Sequence, residues 1–186
     1  LVDLSGLDHS SLGLSDYSAI GSYVGRTLLD KTPVIVGLPS IFTQDQVRFL
    51  IAPMPTAGAI SLCHLVGITP EAPTLEVAFG GKKPEDQISV GLKEMRSSFQ
   101  KLTTTQKEEV DLVCFGCPHC SIPQMREIAS LLEGKKVHGN TRLWVATSGH
   151  LKTMAQRMGL VEIIERAGGL VLTDLCVAPG APFHLV

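Results

Sequence analysis

The sequence predicts an α/β protein with a mostly parallel sheet that has helices on both faces. Two observations lead to this prediction. Short runs of apolar and β-branched residues, such as Val34–Val36, alternate several times with longer segments of helical period. Each short run ends at glycine, proline or hydroxyl-bearing residues, as strands do where they enter loops. Strands that alternate with helices form βαβ units, in which the strands lie parallel.

Five strands are predicted from these apolar runs. The first run is followed by Gly37 and Pro39, and the fourth by the small-residue loop Thr147–Gly149. The carboxyl ends of parallel strands meet at one rim of a sheet, where the ligands of such proteins bind. The predicted strands are Val34–Val36, Ile60–Val66, Leu112–Phe115, Leu143–Ala146 and Leu170–Leu172.

The first two helices are predicted from their start and stop signals. Tyr17–Leu29 follows Ser15 and Asp16, and either side chain is a suitable N-cap. The second helix takes Thr43 as its N-cap and ends near Pro53, because proline lacks the N–H group that continues a helix.

Three later helices follow from periodicity and capping. One is predicted from a shared apolar face formed by Ile88, Leu92, Met95 and Phe99. The next begins with a capping box of Ser121 and Gln124 and ends before Gly134. The last follows the fourth strand and is expected to break at Gly159.

Composition and charge restrict the class of protein. Hydrophobic residues make up 44% and charged residues 18% of the 186 residues, which is typical of a globular chain. The formal net charge is -2 with no basic block, which argues against a nucleic-acid partner. The apolar stretches are interrupted before membrane-spanning length, and no secretory signal pattern opens the sequence. With an odd number of cysteines, these features predict a cytoplasmic protein that binds no membrane.

Three of the five cysteines are spaced two residues apart, at Cys114, Cys117 and Cys120. This spacing is compatible with an iron–sulfur loop, a zinc knuckle, a redox pair or a buried strand. Cys114 lies within a predicted strand and is interpreted as a core residue, which disfavours an iron–sulfur loop of all three. Cys117 follows Gly116 and precedes a helix N-terminus that favours a thiolate, so it is the candidate for chemistry. Cys120 is compatible with either role.

Each of the other polar residues at the predicted rim has both a structural and a functional interpretation. Cys176 follows the last strand, where it is either a core residue or a ligand that pairs with Cys117. His64 is a buried histidine or a substrate contact, and Ser148 is a turn residue or a substrate contact. A zinc site made of Cys117, His119, Cys120 and Cys176 is an alternative.

In its strand-end motifs the sequence resembles the aconitase X family of the aconitase superfamily. The motifs, taken together, extend over nearly the whole chain. They are Ser18–Arg26 (SAIGSYVGR), Pro33–Pro39 (PVIVGLP), His64–Thr74 (HLVGITPEAPT), Val110–Ser121 (VDLVCFGCPHCS), Leu143–Gly149 (LWVATSG) and Gly169–Cys176 (GLVLTDLC).

The resemblance implies an iron–sulfur-dependent hydro-lyase that dehydrates a small hydroxy acid. The family's cluster cysteines correspond to Cys117 and Cys176, and the general base is not identified. Substrate contacts are expected from His64, Thr69, Glu71, His119, Ser121 and Ser148. Because no P-loop or Arg/Lys cluster marks a phosphate site, cis-3-hydroxy-L-proline is the first expected substrate and mevalonate 5-phosphate the alternative.

The resemblance also implies that residues 1–186 form part of an aconitase X catalytic domain, with residues 72–87 as a candidate mobile insertion. The family's upstream region and swivel domain are not found in this sequence, so a swivel domain or small subunit is the expected partner. Three other hypotheses remain open: a non-catalytic fragment or homologue, a zinc-binding interaction domain, and a thiol enzyme that depends on Cys117.

Overall fold

The computed structural model describes residues 1–176. The chain divides into two compact units, unit 1 (Leu1–Gln106) and unit 2 (Lys107–Val186). Each unit has its own parallel sheet, so the predicted strands belong to two sheets rather than one. The prediction of parallel strands alternating with helices is confirmed.

Unit 1 contains a four-stranded sheet in the order β3-β2-β1-β4. β1 lies between β2 and β4, and Val2 is paired with both Ile35 and Ile88. The elements of unit 1 are β1 (Val2–Asp3), α1 (Leu14–Leu28), β2 (Val34–Val36), α2 (Gln44–Ile51), α3 (Pro53–Gly58), β3 (His64–Leu65), α4 (Leu75–Ala78), β4 (Ile88–Ser89) and α5 (Leu92–Leu102).

The core of unit 1 is built around α1, which packs against α2, α3 and α5. Tyr17, Ile20, Leu50 and Met54 are fully or almost fully buried there. The backbones of α1 and α3 approach so closely that a Cβ on Gly58 would lie 1.8 Å from the carbonyl oxygen of Gly25. The small residues of α1 are therefore needed for helix packing.

Unit 2 contains a three-stranded parallel sheet in the order β5-β6-β7. Its elements are β5 (Leu112–Phe115), α6 (Ile122–Leu132), β6 (Arg142–Thr147), α7 (Gly149–Arg157), α8 (Leu160–Arg166) and β7 (Gly169–Thr173). Its core joins Leu143, Val145 and Val171 of the sheet to Met125 and Ile164 of the helices. This core fixes the central strand β6 and the loop that follows it.

Several boundaries agree with the sequence prediction. β2 and β5 have the predicted bounds, and β6 and β7 contain the predicted strands with one or more extra residues at each end. The capping box at Ser121 is confirmed by hydrogen bonds in both directions with Gln124. The break at Gly159 is also confirmed, because this residue has φ +74° between α7 and α8.

Other boundaries were wrong. The strand predicted over Ile60–Val66 is limited to His64–Leu65, because only these residues pair with β2. Ile88 was assigned to a helix but lies in β4 beside β1. By contrast, the end predicted for the second helix is confirmed, because α2 ends at Ile51, near Pro53. Pro53 then begins the separate helix α3, where its missing N–H is not needed. No helix within residues 1–176 is long and apolar enough to cross a membrane.

Candidate active site at the strand ends of unit 2

Three loops meet where the parallel strands of unit 2 end. Gly116–Cys120 follows β5, Ser148 follows β6, and Asp174–Cys176 follows β7. These loops carry both cysteines that the sequence assigned to a cluster. They are therefore the candidate site, called here the unit 2 rim.

The loop after β5 is fixed to the end of β6 at both of its ends. Gly116 has φ +133°, and its backbone lies directly against Ala146. At the other end, the N–H of Cys120 donates to the carbonyl oxygen of Ala146 at 2.8 Å. The hydroxyl of Thr147 donates to the carbonyl oxygen of Cys120 at 2.7 Å. Cys117 lies between these attachments and is exposed.

The loop after β7 is also tied to β6, through Asp174. Asp174 has φ +56°, and its N–H donates to the carbonyl oxygen of Thr147 at 3.0 Å. Its carboxylate accepts a hydrogen bond from the N–H of Gly149 at 3.3 Å. A carboxylate at the amino end of α7 is favourable because the helix dipole is positive there. Cys176, two residues later, is exposed.

The two cysteine loops also contact each other directly. Nε2 of His119 lies 3.1 Å from the carbonyl oxygen of Leu175, which joins the Cys117 loop to the Cys176 loop. The sequence interpretation placed these cysteines at neighbouring strand ends, which is wrong because β6 lies between β5 and β7. The loops meet across the end of β6 instead.

Cys117 and Cys176 fit part of the ligand set of an iron–sulfur cluster. Both thiols are exposed on loops that a hydrogen bond joins, and cysteine thiolate is the usual ligand of such clusters. Two thiols are an incomplete set, since clusters are commonly held by four cysteines. Within residues 1–176 there is no group of three or more His, Cys, Asp or Glu side chains placed to hold a metal ion.

The structure corrects the interpretation of Cys114 and places Cys120, whose role the sequence left open, in the core. Cys114 was interpreted as a core residue but is exposed, because it lies on the sheet face opposite Val113, which packs on the core. Cys120 is only 1% exposed and belongs to the core of unit 2. Its burial in an apolar cluster does not fit the alternative zinc site. Partial burial, and then the nearby Cys117, raise the pKa of the Cys114 thiol.

Two serines of the predicted substrate set lie at helix N-termini of unit 2. Oγ of Ser121 accepts from the N–H of Gln124 at 3.4 Å, so Ser121 is the N-cap of α6. The N–H of Ser121 donates in turn to Oε1 of Gln124 at 3.0 Å. Ser148 precedes α7, and its Oγ lies 3.4 Å from Nε2 of His150. His150 is exposed and was not singled out from the sequence because no spacing pattern marks it.

Three further predicted contacts lie in unit 1. Thr69 follows β3 and supports its turn, since its Oγ1 accepts from the N–H of Leu65 at 3.1 Å. Glu71 is exposed in the same loop. His64 was expected at the rim formed by the carboxyl ends of the strands, but it is the first residue of β3, so it lies at the opposite, amino-terminal edge of the sheet. Its Nδ1 is buried, with no hydrogen-bond partner among the described residues.

Thr147 and Asp174 are the residues of the rim that sequence reasoning undervalued. From the sequence, Thr147 was named only as part of a small-residue loop, and no role was assigned to Asp174. The two polar residues Thr173 and Asp174, shortly before Cys176, were a weak signal that this loop forms hydrogen bonds to a neighbouring element. Nothing in the sequence marked Thr147, because its role depends on a carbonyl group of another loop.

Two protein-family models match the chain, one over each unit. Residues 2–100 match the second domain of aconitase X, and residues 110–184 match the third domain of aconitase X. The chain belongs to the aconitase X family. The two matched aconitase X domains correspond closely to units 1 and 2.

Individual relatives within aconitase X are named for two reactions. The phosphomevalonate dehydratase large subunit of Methanocaldococcus jannaschii is 38% identical over 95% of this chain and 43% of its own length. The cis-3-hydroxy-L-proline dehydratase of Hypocrea jecorina is 31% identical over 94% of this chain and 30% of its own length. This chain therefore spans less than half the length of these relatives.

A solved aconitase X structure has the same fold. The crystal structure of Thermococcus kodakaraensis aconitase X in its holo-form matches with a TM-score of 0.79 and 30% sequence identity. The match covers 94% of this chain and 43% of the other chain. The α/β architecture described above is therefore that of an aconitase X protein.

Proposed function

We propose that this chain forms part of the active site of an iron–sulfur-dependent hydro-lyase that eliminates water from a small hydroxy acid. The observation that carries the proposal is the hydrogen bond of His119 to Leu175, which joins the two loops that bear Cys117 and Cys176. The aconitase X relatives named above are dehydratases, which supports the reaction class.

In this proposal Cys117 and Cys176 bind the cluster through their thiolates. When bound, an iron with an open coordination position supplies Lewis acidity toward the leaving hydroxyl group. The amino end of α6 follows the Cys117 loop, so the loop leads directly into a capped helix. The hydrogen bonds to β6 hold both loops before the cluster arrives.

Water elimination also requires a group that accepts the proton next to the substrate carboxylate. We assign this role to His150 with Ser148 beside it; the support is that Nε2 and Oγ lie 3.4 Å apart at the unit 2 rim. The proton passes to Nε2 of His150, the electron pair of the broken C–H bond forms the new double bond, and the hydroxyl group departs. The elements of one water molecule are then lost from the substrate.

Phosphomevalonate is the first candidate for the substrate. The Methanocaldococcus jannaschii relative named for that reaction is 38% identical to this chain. The second candidate is cis-3-hydroxy-L-proline, since relatives named for it in Hypocrea jecorina and Pseudomonas aeruginosa are 31% and 28% identical. The sequence alone had ranked the two in the reverse order. The words "large subunit" in the first relative's name support a small-subunit partner for this chain.

The test compares cluster content and turnover in four forms of the protein, each reconstituted with iron and sulfide together with its small subunit. They are the wild type, Cys117→Ser, Cys176→Ser and, as a control, Cys63→Ser, which alters a cysteine of unit 1. Loss of one water from each candidate substrate is followed by mass spectrometry. We expect loss of bound iron and of turnover in the first two variants only. Retention of iron in both Cys117→Ser and Cys176→Ser contradicts the proposal.

A further inference from the structure

Thr147 is a fully buried polar residue at the end of the central strand of unit 2. A buried hydroxyl group is costly unless it forms a hydrogen bond. The hydroxyl of Thr147 donates to the carbonyl oxygen of Cys120 at 2.7 Å, the usual distance for an O–H···O hydrogen bond. This side chain therefore fixes the end of the Cys117 loop.

The main chain of Thr147 fixes the other cysteine loop. Its carbonyl oxygen accepts the N–H of Asp174 at 3.0 Å, two residues before Cys176. Thr147 therefore forms hydrogen bonds to both loops. Its side chain bonds to the Cys117 loop, and its carbonyl oxygen bonds to the Cys176 loop. Valine has the same shape as threonine without the hydroxyl group, so replacing Thr147 by valine releases only the Cys120 side.

We propose that Thr147 is a positioning residue that sets Cys117 against Cys176 for metal binding. The inference rests on the proposed function, because it takes these two thiols as ligands. Cys120 keeps its N–H bond to Ala146 when the hydroxyl of Thr147 is removed, but its carbonyl group loses this donor. The loop then turns more freely about Cys120, so the Cys117 thiol is held less closely against Cys176, although the hydrogen bond of His119 to Leu175 remains.

The experiment measures cobalt(II) binding to the chain, using the charge-transfer absorption of cobalt bound to thiolate. It compares the wild type with Thr147→Val, Thr147→Ser and Cys117→Ser. Val171→Ala serves as a stability control, because it removes buried apolar contacts from β7 without touching a rim hydrogen bond. Circular dichroism establishes that each variant is folded, and Thr147→Ala replaces Thr147→Val if that protein does not fold.

We expect Thr147→Val to weaken cobalt binding by about ten- to hundredfold, the usual effect of removing a group that orients a metal ligand. Thr147→Ser retains a hydroxyl group and should restore wild-type binding, and Val171→Ala should bind normally. Unchanged binding by Thr147→Val, or equal weakening in Val171→Ala, overturns the inference alone. If the wild type and Cys117→Ser bind cobalt identically, the ligand pair of the proposed function fails, and the inference fails with it.

Discussion

Gly116 and Ala146 lie so close together that a Cβ on Gly116 would stand 2.6 Å from the Cβ of Ala146. The same added atom would stand 2.7 Å from the carbonyl oxygen of Ala146, which belongs to the central strand of unit 2 and cannot move freely. Gly116 also has a positive φ of 133°, which side-chain-bearing residues rarely adopt. The backbone before Cys117 therefore depends on glycine for two independent reasons.

Gly116→Ala is therefore expected to destabilise unit 2 by on the order of 3 kcal/mol, from steric overlap and backbone strain together. The matched control is Gly139→Ala, because a Cβ at Gly139 meets no atom within 4 Å. Chemical denaturation of both variants measures the difference in free energy of unfolding. Equal stability of the two variants would show that the contact with Ala146 relaxes easily.

Ser121→Ala removes the side-chain cap of α6 and should lower the free energy of unfolding by about 1 kcal/mol, the usual value of a cap. Ser130→Ala is the control, because Ser130 is an exposed residue within α6 and alanine is the better helix former there. Thermal unfolding followed by circular dichroism distinguishes them. A loss of the same size in both variants would argue against capping as the cause.

Cys120→Ser should destabilise the protein by about 1–3 kcal/mol, because it places a more strongly polar hydroxyl group in the apolar core of unit 2. Cys114→Ser should have little effect on the free energy of unfolding, since Cys114 is exposed. Urea denaturation under reducing conditions gives both values. The structure thus corrects the core role that the sequence predicted for Cys114, and a larger loss in Cys114→Ser than in Cys120→Ser would support that predicted role.

The pKa of the Cys114 thiol should fall in Cys117→Ser. Burial is the first cause of its raised pKa and remains in the variant, whereas the negative charge of the Cys117 thiolate, the second cause, is removed. The pKa should therefore move down toward its ordinary value without reaching it, and alkylation of Cys114 should begin at lower pH. Peptide mass spectrometry after timed alkylation across a pH series measures this.

The control for this titration is Cys176→Ser, because Cys176 is not among the causes of the raised pKa of Cys114. Its alkylation profile at Cys114 should match that of the wild type. A shift of equal size in Cys117→Ser and Cys176→Ser would mean that the variants loosen the whole rim rather than remove one neighbouring charge.

Sequence patterns located the strands of unit 2 well because each is long enough to show an apolar run. Val2–Asp3 and Ile88–Ser89 have two residues each, which is too short for any period to be visible. These strands exist because β1 lies between β2 and β4 and bonds to both. Only the assembled sheet reveals that pairing.

The sequence predicted the thiols of the candidate site but not the hydrogen bonds that hold their loops in place. Cys117 stood out because glycine precedes it and a helix begins shortly after it. The face of Cys114 was assigned incorrectly, since alternation along a strand does not say which face the helices cover. The role of Cys120 was left open, because it lies in the loop between β5 and α6. Bonds such as that of Thr147 to Cys120 join residues from different loops, and no local pattern encodes them.

The order of strands in the two sheets also has a consequence for folding kinetics. The sequence separation between paired residues differs in the two units. In unit 1, Val2 pairs with Ile88, which is distant in the sequence. In unit 2, the paired residues are closer in sequence, since Leu112 pairs with Arg142 and Leu143 with Gly169. Closing a longer loop costs more entropy, and chains with distant pairings fold more slowly. Unit 2 should therefore complete its sheet first, so that the thiols of its rim meet metal ions or oxidants while unit 1 is still folding.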